Sequence, residues 1–135
     1  MDFEAKIAEL GLLIPKPAKP AGSYKPCVIV DNIAYISGQG PLLEDGSFAK
    51  GKVGADVDLE TAQNHARLCG LAILSALKNE IGSINKVDQL IKLTGFVNCI
   101  ESFTQQPLVI NGCSNMMKDI FGETGIHARA AVGVN

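Results

Sequence analysis

The 135 residues contain no tryptophan, two tyrosines and two histidines, and neither charge sign dominates: twelve Lys and Arg stand against fourteen Asp and Glu. Scattered basic residues with few aromatics give no electrostatic track or stacking platform for a polynucleotide, so nucleic acid is not an expected partner. The longest nearly apolar stretch, Leu68 to Leu77, is too short for a bilayer, and Met1-Asp2-Phe3-Glu4 is acidic where a secretory leader is basic. A soluble, cytoplasmic protein with no membrane partner is expected. The four cysteines, Cys27, Cys69, Cys99 and Cys113, form no CxxC pair and sit among apolar neighbours. They are expected to be reduced, buried thiols rather than disulfides or metal ligands. A zinc site would need both His65 and His127 plus carboxylates that no motif arranges, so packing or surface roles are expected for the two histidines.

What is present suits one core: 47% of residues are hydrophobic and no compositional break divides the second half. Residues 1–21 divide into a short helix over Asp2 to Leu10 and an extended strap set by Pro15, Pro17 and Pro20, with Lys16 and Lys19 solvated. Residues 22–135 form the domain. Cys27 to Val30 and Ile33 to Ser37 predict a hairpin around Asp31-Asn32, which tolerate positive φ. The glycine-rich stretch Gly38 to Gly54 predicts a loop. A long helix should start near Asp58 and stop at Gly82, with Ala62, Ala66, Cys69, Ile73, Ala76 and Leu77 on its buried stripe, packed closely on a sheet. Val87 to Cys99 predicts a strand with Val87, Ile91, Leu93, Val97 and Cys99 on one face and a mixed second face, as at an oligomer interface. Pro107 opens a second helix with the stripe Ile110, Cys113, Met117, Ile120 and Phe121, and Gly122 closes it. Ile126 to Val134 predicts the last strand. The order implies an α+β fold: a mixed β-sheet with two helices packed on one face.

Three motifs fail on context. Gly46 to Val53 matches GxxxxGK, but Val53 stands where a magnesium-binding hydroxyl belongs and the helix begins too late. Gly38-Gln39-Gly40 has Leu43 at the third glycine position of a dinucleotide fingerprint. Ser37 lacks the strand-elbow-helix setting of a nucleophile.

The closing segment His127-Ala128-Arg129-Ala130-Ala131-Val132-Gly133-Val134 carries the best candidate chemistry. Period-two alternation puts Ile126, Ala128, Ala130, Val132 and Val134 on one face, expected to lie under the helices. His127, Arg129, Ala131 and Gly133 take the other. A guanidinium beside two nearly side-chain-free positions could seat a small carboxylate in a recess; equally, Arg129 could pair with a surface carboxylate.

This segment, with Tyr35-Ile36-Ser37-Gly38-Gln39, Phe96-Val97-Asn98 and Val109-Ile110-Asn111-Gly112, resembles the RidA (YjgF, endoribonuclease L-PSP) family over nearly the whole chain after Gly22. The resemblance implies a chorismate-mutase-like fold and a homotrimer with clefts between subunits. It further implies a cofactor-free deaminase that hydrolyses reactive enamine and imine acids, such as 2-aminoacrylate and 2-iminobutyrate, to 2-keto acids and ammonia. By the same resemblance Arg129 holds the substrate carboxylate and Asn111 braces the cleft. Tyr24 reaches in from a neighbouring subunit, Ser37 and Gly38 line the cleft, and the Ala131 carbonyl helps place the attacking water. Family members continue past the position of Asn135 into a strand bearing a glutamate that helps place water, so a non-catalytic trimeric carboxylate binder or regulatory protein is the alternative. Lys25-Pro26 and the long loop Leu42 to Val57 point to a subgroup with its own substrate. An endoribonuclease L-PSP-type translation inhibitor is a third reading, without a basic patch or a His pair behind it.

Overall fold

A computed structural model describes Met1 through Asn135. Local signals set the helices. Helix α1 (Phe3–Glu9) is capped by Asp2, whose carboxylate accepts from the Ala5 N–H at 2.9 Å. Asp58 does the same for Thr61 at 2.8 Å at the start of α2 (Leu59–Ile81), and Gly82 ends that helix at φ +89°. Helix α3 (Gln106–Phe121) carries Pro107 in its first turn, where a missing N–H costs nothing, and stops at Gly122.

Strands β1 (Cys27–Val30) and β2 (Ile33–Ile36) pair antiparallel through Asp31 and Asn32 at φ +51° and +62°, the left-handed turn expected for a two-residue hairpin. Strands β3 (Lys92–Asn98) and β4 (Ala128–Val134) pair in parallel, with Leu93 opposite Arg129 and Gly95 opposite Ala131. The four strands therefore form two separate two-stranded sheets in place of the single mixed sheet expected. The third predicted strand is also shorter than Val87 to Cys99: Ile84–Lys86 is a 3₁₀ turn, and pairing starts only at Lys92. Val53, in the loop after β2, adds a single bridge to Cys99 at the far end of β3. The GxxxxGK stretch is loop, and the helix that follows it begins only at Leu59.

The core lies where α2 and α3 meet and where α3 covers β3 and β4. All five residues of the predicted α3 stripe are buried; on α2, Ala62, Ala66, Ala76 and Leu77 are buried while Cys69 and Ile73 are half-buried. Helix α2 packs chiefly on α3, and also touches β1 and β2. A Cβ at Gly70 would meet Met116 and Cys113, and one at Gly112 would overlap the backbone carbonyl of Gln63. Gln63 also donates to the Leu108 carbonyl at 2.9 Å, tying α2 to the first turn of α3.

The alternation predicted for β4 holds, but its orientation is reversed. Leu93, Gly95 and Val97 of β3 and Arg129 and Ala131 of β4 face α3, whereas Phe96, Val132 and Val134 are exposed. The physical reason is the make-up of the facing helix. Around Asn111 and Ser114, α3 offers polar side chains to a strand, and Arg129 satisfies the two Nη1 donors there, while small residues let the helix sit close.

Candidate functional site

Arg129 projects from β4 onto one turn of α3. Its Nη1 donates to Asn111 Oδ1 at 2.7 Å and to Ser114 Oγ at 3.2 Å. Residues 111 and 114 share a helix face because they are three apart, so one guanidinium nitrogen can engage both. A guanidinium has five N–H donors, and Nη1 accounts for two. The Nε–H and both Nη2 hydrogens make no hydrogen bond within the chain. That open edge is the side-on fork whose two parallel donors match the oxygens of a carboxylate.

Behind this fork a second pair of side chains completes a chain of contacts. Ser114 Oγ lies 3.0 Å from His127 Nε2, and His127 Nδ1 lies 2.7 Å from the Gly125 carbonyl oxygen. His127 is two residues before Arg129, just ahead of β4, and half-buried rather than a surface histidine.

The other proposed residues lie elsewhere. Tyr24 and Gly38 line a pocket of about 290 Å³ between the strap, Gln39 and the α2 residues Ala72, Ser75 and Ala76, and neither Arg129 nor Asn111 borders it. The strap is held there by Ser75, which donates to the Pro15 carbonyl at 2.6 Å. Ser37 donates to the Lys25 carbonyl at 2.6 Å and so closes the base of the hairpin. Ala131 packs against the core from β4, a strand paired along one edge only. The recess expected beside it is filled: a Cβ at Gly133 would lie 2.9 Å from Cys99 Sγ and from Gln106 Nε2.

Within one chain, then, Arg129 and Asn111 come together, Tyr24 and Gly38 come together, and the two pairs stay apart. Sequence reasoning missed Ser114 and the engagement of His127. The available signals were the three-residue spacing from Asn111 and the two-residue spacing from Arg129.

The two thiols nearest α3's core face are held in the protonated form. Burial pushes the Cys113 thiol up to about 12, with neighbouring Cys69 adding to the shift and the Arg129 charge opposing it, and burial pushes Cys69 up to about 11. No helix is long and apolar enough to cross a membrane.

Comparison with known proteins agrees with this architecture. A family model described as "YjgF/chorismate mutase-like, putative endoribonuclease" matches residues 4–134. Protein TCP17 of Trypanosoma cruzi is 37% identical over 131 residues, covering 96% of this chain and 82% of that protein. The crystal structure of Atu1372 from Agrobacterium tumefaciens, a protein described as of unknown function, superposes with a TM-score of 0.87 at 43% identity, covering 98% of this chain and 80% of that one. A protein from Shewanella oneidensis described as a putative endoribonuclease superposes with a TM-score of 0.94 at 31% identity, covering all of this chain and 89% of that one. The chain belongs to the YjgF (RidA) family and has its chorismate-mutase-like α+β fold.

Proposed function

We propose that the protein binds small 2-imino and enamine acids by their carboxylate and hydrolyses them to 2-keto acids and ammonia. The observation that carries this reading is the guanidinium of Arg129, fastened through Nη1 to α3 while its Nε–Nη2 edge stays free. A carboxylate on that edge holds the adjacent imine carbon at a fixed distance from β4. An enamine first tautomerises to the imine; water then adds across the C=N bond, its hydroxyl to carbon and one hydrogen to nitrogen, and as the hydroxyl passes its hydrogen to nitrogen the C–N bond breaks, leaving the C=O of the keto acid and ammonia. The imine carbon is already electrophilic, so orientation of substrate and water can provide much of the acceleration without a strong nucleophile.

Tyr24 and Gly38 belong to this site if a second copy of the chain brings its strap pocket to the Arg129 edge. A homotrimer with clefts between subunits would do so, and the apolar surface left open in one chain supports it. Phe96 is 68% exposed on β3, Val132 and Val134 are exposed on β4, and Val28, Val30 and Tyr35 are exposed on the hairpin. Two-stranded sheets are marginal alone and gain from being covered.

A non-catalytic binder is the second reading. One observation favours it: both ring nitrogens of His127 are engaged within the protein, leaving no free acid or base beside Arg129. RNA cleavage gains no acid-base pair from this geometry.

The test couples the protein to a serine or threonine dehydratase and follows keto-acid release. Faster release with wild type and none with Arg129→Ala supports hydrolysis. Binding of 2-ketobutyrate without acceleration selects the binder, and full activity in Arg129→Ala rejects the anchor.

A further inference from the structure

We propose that Ser114 and His127 are positioning residues: they form a polarised hydrogen-bond relay from the Gly125 carbonyl to Arg129 and commit the guanidinium to side-on carboxylate capture. This rests on Arg129 being the anchor.

With a neutral His127 ring, the direction of every bond in the relay follows from elementary chemistry. A carbonyl oxygen only accepts, so the hydrogen in the 2.7 Å contact belongs to His127 Nδ1. In the neutral imidazole Nε2 then carries a lone pair, so the hydrogen in the 3.0 Å contact comes from the Ser114 hydroxyl. That turns an Oγ lone pair towards Arg129, which donates to it at 3.2 Å. The opposite histidine tautomer would leave the Gly125 carbonyl facing a lone pair and turn the hydroxyl hydrogen towards a guanidinium that offers only donors.

The starting point of the relay is rigid. Gly125 is buried and its α-carbon abuts the Met117 carbonyl so closely that a Cβ would overlap it. The guanidinium is thereby held by two acceptors on α3, one of which is oriented by the strand that carries the arginine. Asn111 alone fixes one Nη1 hydrogen and leaves the plane free to swing about that contact. The second acceptor fixes the plane, which directs the Nε–Nη2 edge outward.

The experiment measures equilibrium binding of 2-ketobutyrate to the full chain by calorimetry, with circular dichroism confirming that each variant folds. Ser114→Ala should bind about tenfold more weakly, the scale of one hydrogen bond to a charged group, and Ser114→Thr should restore affinity. His127→Phe should weaken binding; His127→Gln, whose amide oxygen can accept from Ser114, should recover most of it. Combining Ser114→Ala with His127→Phe should cost no more than Ser114→Ala alone, because both cut one chain of contacts. A merely structural role would give additive losses, and additivity overturns the relay. Loss of binding in Arg129→Ala with wild-type affinity in both Ser114→Ala and His127→Phe also overturns it while leaving the anchor intact. Wild-type affinity in Arg129→Ala removes the anchor itself. Nitrogen chemical shifts of His127 test the relay without any variant: protonated Nδ1 with unprotonated Nε2 is expected, and the reverse tautomer refutes it.

Discussion

Gly112→Ala isolates the contact on which the site's geometry depends. An alanine Cβ there would overlap the main-chain carbonyl oxygen of Gln63 on α2, and main chain on main chain cannot rotate aside. The helices must part by about 1 Å at this crossing, in an interior packed like a crystal. Overpacking of this kind costs ~3 kcal/mol at the upper end of its usual range. Alanine returns ~1 kcal/mol through better helix propensity. The net expectation is a loss of about 2 kcal/mol, or roughly 7 °C in thermal midpoint for a chain of this length. Gly70→Ala is the control on the facing helix, because its Cβ would meet the flexible tip of Met116 and the Cys113 sulfur rather than backbone. Its melting point should fall less. Because Gly112 lies between Asn111 and Ser114 in sequence, the same substitution should also weaken 2-ketobutyrate binding, whereas Gly70→Ala should spare it. Thermal melts at matched protein concentration and calorimetric titrations supply both readouts. A Gly112→Ala protein as stable as wild type, or less affected than Gly70→Ala, would refute the close-approach reasoning.

Phe96→Asp places a charge on the exposed apolar face of β3 and should convert the proposed trimer to monomers in light scattering while leaving far-ultraviolet circular dichroism intact; an unchanged mass would count against that face as the interface. Cys69 and Cys113 have folded values raised above the ordinary 9.0 of a thiol. Their contribution to stability should therefore be complete below about pH 9 and lost as pH rises through about 11 to about 12, seen as a falling urea midpoint that is flatter in Cys113→Ala. Glu4 is shifted the other way, below its ordinary 4.5, by the hydrogen bonds from Lys78 and Ser83. Docking of α1 should hold above that value and loosen as pH falls through the lower folded one, which hydrogen exchange at α1 amides would report, and Glu4→Gln should remove the pH dependence.

The elements that could be read in advance are those whose cause is local. Asp58 and Gly82 bound α2, Pro107 and Gly122 bound α3, and Asp31-Asn32 turns the hairpin, because caps and left-handed turns are decided by a few adjacent residues. Pairing of β3 with β4 is different. It joins residues 36 positions apart in parallel register, and no residue in either strand encodes its partner. Hence the single mixed sheet expected from element order is two separate pairs. The strand ends failed for a related reason: Val87 to Ile91 alternates like a strand, yet its neighbour there is the turn at Thr124, where Leu90 finds its carbonyl acceptor.

The reversed face of β4 shows how far a period can be trusted. Alternation separates Arg129 and Ala131 from Val132 and Val134, and nothing in a period of two says which set is inside. Hydrophobicity votes for the valines. The decision rests on α3, where Asn111 and Ser114 offer two acceptors to a guanidinium whose burial would otherwise be costly. Satisfying Arg129 against the helix turns the valines outward, beside Phe96. The arrangement that builds the proposed anchor therefore also creates the apolar surface that a second copy could cover. That link yields a joint expectation. Replacing Arg129 and its two acceptors by an apolar set, as in Arg129→Met with Asn111→Leu and Ser114→Ala, should abolish carboxylate binding and, by removing the contacts that decide the inner face of β4, also lower the mass of the assembly in light scattering. Should the assembly keep its full mass, apolar packing rather than these polar contacts would be setting the strand's orientation.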